Sequence, residues 1–348
     1  MTLGKIAFLG SGETSLAGGR IFETLARALP RPLEIAVLET PAGFELNADL
    51  VAGRVADFLA KRLQNYAPKI VTVPARKRGT PFSPDDPEIV RPLLTANMIF
   101  LGPGSPTYAV RQLKDSLAWD VLRARHRLGA ALVFASAATI AAGAWALPVY
   151  EIFKVGEEVH KKPGLNLFAD FGLSLNFIPH WNNAEGGVEL DTSRCFIGRE
   201  RFAVWCASLP QDSIVLGLDE HTGLIFDFAQ GECWVSGVSS VSIVRSCETK
   251  IYAAEAVFPI SELGDFVEPQ PLESGISPAV WNMAQAAHRA EEAEVPSPAV
   301  LALLEARRKA RAEKKWAESD RLRDEIAALG WQVQDTPEGQ KLARRAGS

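Results

Sequence analysis

Between residues 5 and 135, short, mostly apolar runs alternate with segments of helical period, and no other feature of the chain restricts its fold so tightly. Ile6–Leu9, Leu33–Leu38, Ile70–Val73, Met98–Leu101 and Ala131–Ala135 read as strands. Ile21–Leu29, Leu50–Leu63, Pro87–Thr95 and Ser116–Leu128 read as helices; Ile21, Leu25 and Leu29 form one apolar stripe, and Val51, Val55, Phe58, Leu59 and Leu63 another. A strand with no polar face must be covered on both sides, and the intervening helices supply the cover. The expectation is an α/β protein with a doubly wound, mostly parallel sheet. Ligands of such sheets bind beyond the carboxyl ends of the strands. Three loops fall there: Gly10–Gly19, Gly102–Pro106 and the turn at Ser136.

From 149 to 254 the pattern is richer in strands, with Ile214–Leu218, Leu224–Phe228, Cys233–Ser236 and Val241–Val244 separated by short turns. These are expected to complete the same sheet and to add antiparallel edge strands. Residues 1–255 are thus read as the main domain. The proline-rich stretch 256–296 is read as a linker with one short helix around Val280–Arg289. Beyond Pro298, Val300–Lys315 and Trp316–Leu329 are charged and amphipathic, and Gly330 supplies a stop. Residues 297–348 are therefore expected to be a small α-helical hairpin with a tail.

Composition narrows the classes. With 47% apolar and 23% charged residues the chain is globular in type, and a net charge of −5 gives no overall basic field for nucleic acid. Gly129–Tyr150 is uncharged and long enough to span a bilayer, but it is dominated by Ala and Gly, holds Ser136 and Thr139 and ends at Pro148. A strand, a turn and a buried helix account for it, and no membrane span is expected. The four cysteines, Cys195, Cys206, Cys233 and Cys247, have no CxxC spacing and read as reduced thiols. Met1-Thr-Leu-Gly-Lys5 leads directly into a strand without a signal peptide, so a cytoplasmic location is expected.

Chemistry concentrates at Gly129-Ala-Ala-Leu-Val-Phe-Ala-Ser136-Ala-Ala-Thr-Ile-Ala-Ala-Gly143. A serine where a strand turns sharply into a helix has its hydroxyl at an exposed tip, with backbone N–H groups nearby to receive negative charge. The plain alternative is a small core serine before an Ala-rich helix. Gly102 and Gly104 let a backbone approach a ligand, although any tight strand-to-helix turn also uses glycines. Gly10-Ser-Gly-Glu13 begins a dinucleotide fingerprint, but Ser15 stands where the third glycine belongs. Among the histidines, His126 is expected to be solvated in a basic helix end, His160 lies in a charged loop, His221 in a turn and His288 in the linker. His180 instead ends the apolar run Leu175-Asn-Phe-Ile-Pro179, and Asp219-Glu220 ends the strand Ile214–Leu218. A base at one strand end and an acid at another is an arrangement that can activate a hydroxyl. No metal-ligand spacing is present, and neither a metal nor another cofactor is expected.

Taken in order, these segments resemble the S51 serine peptidases, the family of dipeptidases specific for N-terminal aspartate and of cyanophycinase, which have a class I glutamine-amidotransferase-like, flavodoxin-like fold. The resemblance covers roughly residues 3–255. Ala135-Ser136-Ala137 is similar to the family's nucleophile turn, Leu101–Pro106 to its Gly-rich oxyanion loop, Pro179-His180 to its catalytic histidine and Gly217-Leu-Asp-Glu220-His-Thr-Gly223 to the segment with its acid. The resemblance implies a Ser136–His180–Glu220 triad, with the backbone N–H groups of Gly104 and Ala137 as oxyanion donors. It implies a serine-type hydrolase of a peptide or related amide bond. Three departures stand out. Ala138 occupies a position that is usually glycine, Pro103 has no N–H to donate, and Trp181-Asn182-Asn183 follows His180 where several relatives have basic residues. They leave a second expectation open: a non-catalytic protein of the same fold that binds a small molecule. A basic substrate pocket, if there is one, has Arg111, Lys154 and Arg194 as candidates.

Leu301–Lys341, with Ala306-Arg-Arg-Lys-Ala-Arg311, Asp320-Arg-Leu-Arg-Asp-Glu325 and Asp335-Thr-Pro-Glu-Gly339, is similar to the small C-terminal helical segment of cysteinyl-tRNA synthetases. Neither catalytic signature of those enzymes occurs, so aminoacylation is not implied. From Ser297 onward eleven basic residues face eight acidic ones. Arg307, Arg308, Lys309 and Arg311 are the candidate contacts for RNA phosphates, with a solvated helix face as the alternative. A tRNA or protein partner for this hairpin, and assembly as a homodimer, remain open.

Overall fold

The computed structural model describes residues 2–246, 248–294, 296–336 and 339–344; Cys247 and the Pro337-Glu338 pair of the C-terminal motif lie outside the described residues. In chain order the first half comprises β1 (Ile6–Leu9), α1 (Leu16–Ala28), β2 (Glu34–Leu38), α2 (Ala48–Arg62), β3 (Lys69–Val73), the one-turn α3 (Pro87–Val90), β4 (Met98–Leu101), α4 (Pro106–Leu113), α5 (Leu117–Arg127), β5 (Ala131–Ala135) and α6 (Ala137–Ala141). There follow the two-residue strands β6 (Trp145–Ala146) and β7 (Lys162–Pro163), then β8 (Leu175–Ile178), α7 (Gly198–Ala207), β9 (Ile214–Leu218), β10 (Thr222–Asp227), β11 (Glu232–Gly237), β12 (Ser240–Arg245), β13 (Glu248–Ala253) and β14 (Val257–Pro259). The chain closes with α8 (Pro278–Glu294), α9 (Pro298–Ala312), α10 (Trp316–Ala328), β15 (Trp331–Thr336) and β16 (Gly339–Arg344). Two compact units result, residues 1–285 and 286–348.

The central sheet of the first unit has eight strands in the order β14-β11-β10-β1-β5-β4-β2-β3. From β1 through β5, β4 and β2 to β3 the pairing is parallel; β10, β11 and β14 extend the sheet antiparallel. Alternate residues feed two separate cores: Ile6, Phe8, Leu132 and Phe134 join one, while Ala7, Leu9, Val133 and Ala135 join the other. Burial on both faces is what the continuous apolar runs demand. Serine caps begin α4 and α5: Ser105 Oγ accepts from the Tyr108 N–H (3.2 Å) and Ser116 Oγ from the Trp119 N–H (3.1 Å). Among the described residues no helix is long and apolar enough to cross a membrane.

Three expectations change. First, β8, β9, β12 and β13 form a separate four-stranded sheet in the order β13-β12-β9-β8 rather than completing the central one. Both edges of β1 are taken by β5 and β10, so β8 meets its face instead: the rings of Phe8 and Phe177 stack 4.0 Å apart. Second, residues 256–285 are not a linker. Val257–Pro259 pairs with β11, and Ile260, Leu263, Ile276, Val280, Trp281 and Ala284 enter the main core. Third, His126 is not solvated. It and its neighbours Arg125 and Arg127 are buried; its ring is 2.8 Å from the Gly4 carbonyl, and Arg127 donates to Asp170 (2.7 Å) and to the Leu272 carbonyl (2.6 Å).

In the second unit α9 and α10 are followed by a β-hairpin, β15–β16, where the sequence suggested only a tail. Val300, Ile326, Trp331 and Val333 make its core. The alternation of Trp331 and Val333 with polar residues was the available signal. Arg307 is fully buried and bidentate to Asp335 (3.0 and 3.2 Å), which withdraws it from the candidate phosphate contacts. Arg311 reaches the same carboxylate at 3.3 Å, whereas Arg308 and Lys309 are exposed.

Candidate active site

Ser136 is the single residue between β5 and α6, with φ 52° and ψ −114°. A side chain at positive φ costs on the order of 1–3 kcal/mol, so the surroundings must enforce the turn. They do so through main-chain ties. The Thr139 hydroxyl, buried one turn on, is 3.1 Å from the Leu9 carbonyl and 3.0 Å from that of Phe134. The Ala138 N–H donates to the Gly102 carbonyl (3.3 Å), and the methyl of Ala138 is accommodated in the main core. The extra methyl relative to glycine thus does not open the turn. Ser136 itself is partly exposed while both its neighbours are buried.

His180 follows β8 through Pro179 and also has positive φ, 50°. Its N–H donates to the Gly10 carbonyl (3.1 Å), and its own carbonyl accepts from Cys195 N–H (3.1 Å) and Asn183 N–H (3.2 Å). Held in this way, the ring has Nε2 3.1 Å from Ser136 Oγ and Nδ1 3.0 Å from Glu220 Oε1. Burial raises the Glu220 carboxyl, but hydrogen bonds from Asn183 and His180 outweigh it and hold the group below its ordinary value. An ionised carboxylate can only accept, so Nδ1 carries the proton and Nε2 is left to accept from the serine hydroxyl. The adjacent acid does different work. Asp219 Oδ2 accepts from Ser239 Oγ (2.7 Å), Ser240 Oγ (2.7 Å) and Ser240 N–H (3.1 Å), which ties the end of β9 to the start of β12.

Two asparagines, noted in the sequence only as a departure from basic residues, complete this side. Asn182 Oδ1 accepts from the Glu220 N–H (2.8 Å), and Asn183, buried, donates from Nδ2 to the same Oε1 that His180 uses (3.0 Å). Only their place directly after His180 could have drawn attention. Cys195 is next to the histidine backbone, but burial pushes its thiol up to about 12, far from thiolate chemistry.

Across the turn lies the Gly102–Ser105 loop. Gly104 has φ 144°, and a Cβ there would sit 1.9 Å from the Pro41 carbonyl oxygen, so glycine is required. The N–H groups of Gly104 and Ala137 make no hydrogen bond among the described residues. Of the cations suggested for a substrate pocket, Arg194 stacks on Trp181 at 3.7 Å and donates to its carbonyl (2.8 Å), and Lys154 lies over Phe153. Arg111 does line a cavity of about 350 Å³, with Thr107, Lys114, Glu151 and Lys162. The serines of the Gly10–Gly19 loop bind backbone: Ser15 caps α1, and Ser11 Oγ accepts from the His221 N–H (3.1 Å).

A mostly parallel α/β sheet with a serine turn at its carboxyl edge is the peptidase-like fold that the sequence resemblance implied. A solved structure, a peptidase from an acI-B1 Actinobacterium, shares this fold with a TM-score of 0.60 at 20% identity, covering 74% of this chain and 97% of that one. Residues 296–341 match the cysteinyl-tRNA ligase anticodon binding domain. The chain is also 60% identical over 43 residues to cysteine–tRNA ligase 1 of Burkholderia lata (12% of this chain, 9% of that protein). It is 49% identical over 55 residues to the cysteine–tRNA ligase of Phocaeicola vulgatus (16% and 11%). The matched segment therefore spans only about a tenth of those relatives.

Proposed function

We propose that the first unit is a serine-type hydrolase of a peptide or related amide bond, in which Ser136, His180 and Glu220 act as nucleophile, general base and orienting acid. One observation carries this reading: the unbroken relay from Glu220 Oε1 through both nitrogens of His180 to a hydroxyl held at positive φ. In the first step Ser136 Oγ attacks the carbonyl carbon and gives its proton to Nε2. Negative charge moves to the carbonyl oxygen, where the N–H groups of Gly104 and Ala137 receive it, at roughly 3–4 kcal/mol for such a donor. Nε2 then returns the proton to the leaving nitrogen as the C–N bond breaks, and water releases the acyl group by the same route. A fluorophosphonate probe tests the proposal. Labelling of the full chain that disappears in Ser136→Ala supports it; folded protein that resists the probe favours a non-catalytic binder of a small molecule.

A second reading concerns residues 286–348. Their similarity to the anticodon-binding domain supports a contact with tRNA, made through exposed Arg308 and Lys309 and not through buried Arg307. Fluorescence anisotropy with bulk tRNA checks it: binding should weaken as salt rises, and should weaken further in Arg308→Ala/Lys309→Ala.

A further inference from the structure

Beside the histidine the chain does something unusual. Arg194, Cys195 and Phe196 are three consecutive residues with φ of 60°, 60° and 70°, followed by Ile197 and then Gly198 at 77°. Without glycine such a left-handed turn is unfavourable at every step, and it persists only where neighbours impose it. Here Cys195 N–H is fastened to the His180 carbonyl and Arg194 N–H to that of Trp181 (3.0 Å). The turn sets the Phe196 ring 5.4 Å from the imidazole of His180, centroid to centroid. Phe196 also lines a cavity of about 580 Å³, where Phe153, Leu190 and Ile197 are the other apolar residues. Phe153 and Phe196 lie 5.7 Å apart, as neighbouring rings of one wall. The cavity is also lined by two basic and two acidic residues, Arg199 and Arg201 with Asp191 and Glu200, and Arg199 is paired with Asp191 at 3.0 Å.

Direction follows from the chemistry. The histidine that protonates the departing nitrogen must lie on the leaving-group side of the scissile bond, and the oxyanion donors lie with the acyl carbonyl. A cavity one ring beyond His180 is therefore on the amine side. We infer that this cavity is the leaving-group subsite, and that it takes an amine bearing a bulky apolar or aromatic side chain, selected by shape and not by charge. This rests on the hydrolase reading. In the step concerned, the Ser136 O–C bond forms, the C–N bond breaks with its electron pair going to nitrogen, and the proton on Nε2 completes the free amine.

The test uses the full chain and the rate of fluorophosphonate labelling at Ser136, measured with and without an added amine. Phenylalanine amide should slow labelling, and glycine amide should bind about tenfold more weakly because it buries no side chain. Leu190→Asp and Phe153→Asp replace partly exposed wall residues, so folding is not at stake; each should abolish the protection, read as a ratio within the same variant. Equal protection by both amines, no protection by either, or protection that survives both substitutions overturns the inference while leaving the hydrolase intact. Failure of the probe to label Ser136 at all overturns the hydrolase reading, and the leaving-group role falls with it.

Discussion

Replacing Glu220 by glutamine keeps the shape of the side chain but offers His180 an amide that can donate as well as accept. The imidazole can then turn its proton toward Ser136, which removes the base. A loss of roughly 10³–10⁴ in the fluorophosphonate labelling rate is expected, with the thermal midpoint little changed. Asn183 permits a finer measurement. It is one of two groups whose hydrogen bonds overcome the burial that would otherwise raise the Glu220 carboxyl. Asn183→Leu should move the titration of that carboxyl to higher pH, observed by ¹³C NMR of glutamate-labelled protein; an unchanged midpoint would show that His180 alone holds it down. At this scale the sequence was informative for Ser136, His180 and Glu220, because each ends an apolar strand. It marked Asn183 only as a departure, with no hint of its contact to Glu220, and was silent on Phe196. Asn183 acts through a contact 37 residues away, and nothing in Arg-Cys-Phe advertises a left-handed turn.

Elements formed where their signals were local. Apolar strands and helices with an apolar stripe were legible, and so was the sharp junction at Ser136. What could not be read was which edges were already occupied. β8 and β9 carry ordinary strand composition, and only the pairing of β1 on both sides sends them to a second sheet. Prolines misled in the other direction: Pro259 ends an edge strand and Pro278 opens α8, both normal positions for proline, although their density suggested a linker. The loop after β4 offers a test at this scale. Gly104→Ala sets a methyl against the Pro41 carbonyl, so either the protein loses about 1–3 kcal/mol or the loop moves and its N–H leaves the position proposed for an oxyanion donor. Thermal unfolding and the labelling rate, measured together, separate the two outcomes.

For the whole molecule, the buried His126 makes stability depend on acidity. Burial, and after it the charge of Arg127, depress its value from 6.5 to about 3, so the folded state resists a proton that the unfolded chain accepts. The stability held by the neutral ring is complete above pH 6.5 and is lost as the pH falls from there toward 3, at up to about 1.4 kcal/mol per pH unit. Urea unfolding of the native chain and of His126→Asn across this window should show the steeper slope in the native protein. The two units give a further contrast. Arg307→Ala empties a buried site and strips Asp335 of its bidentate partner, and should lower the melting of residues 286–348 by about 2 kcal/mol or more without changing the labelling of Ser136.

Ser136 rides on the central sheet, whereas His180 and Glu220 are carried by the strand ends of the second one. The 3.1 Å gap between hydroxyl and imidazole thus spans the two sheets, which meet where Phe8 packs on Phe177 and where the His180 N–H donates to the Gly10 carbonyl. Reactivity of the serine becomes a gauge of how the two layers ride on each other. A shift of about half an ångström between the layers would take that hydroxyl out of ordinary hydrogen-bond reach of the imidazole.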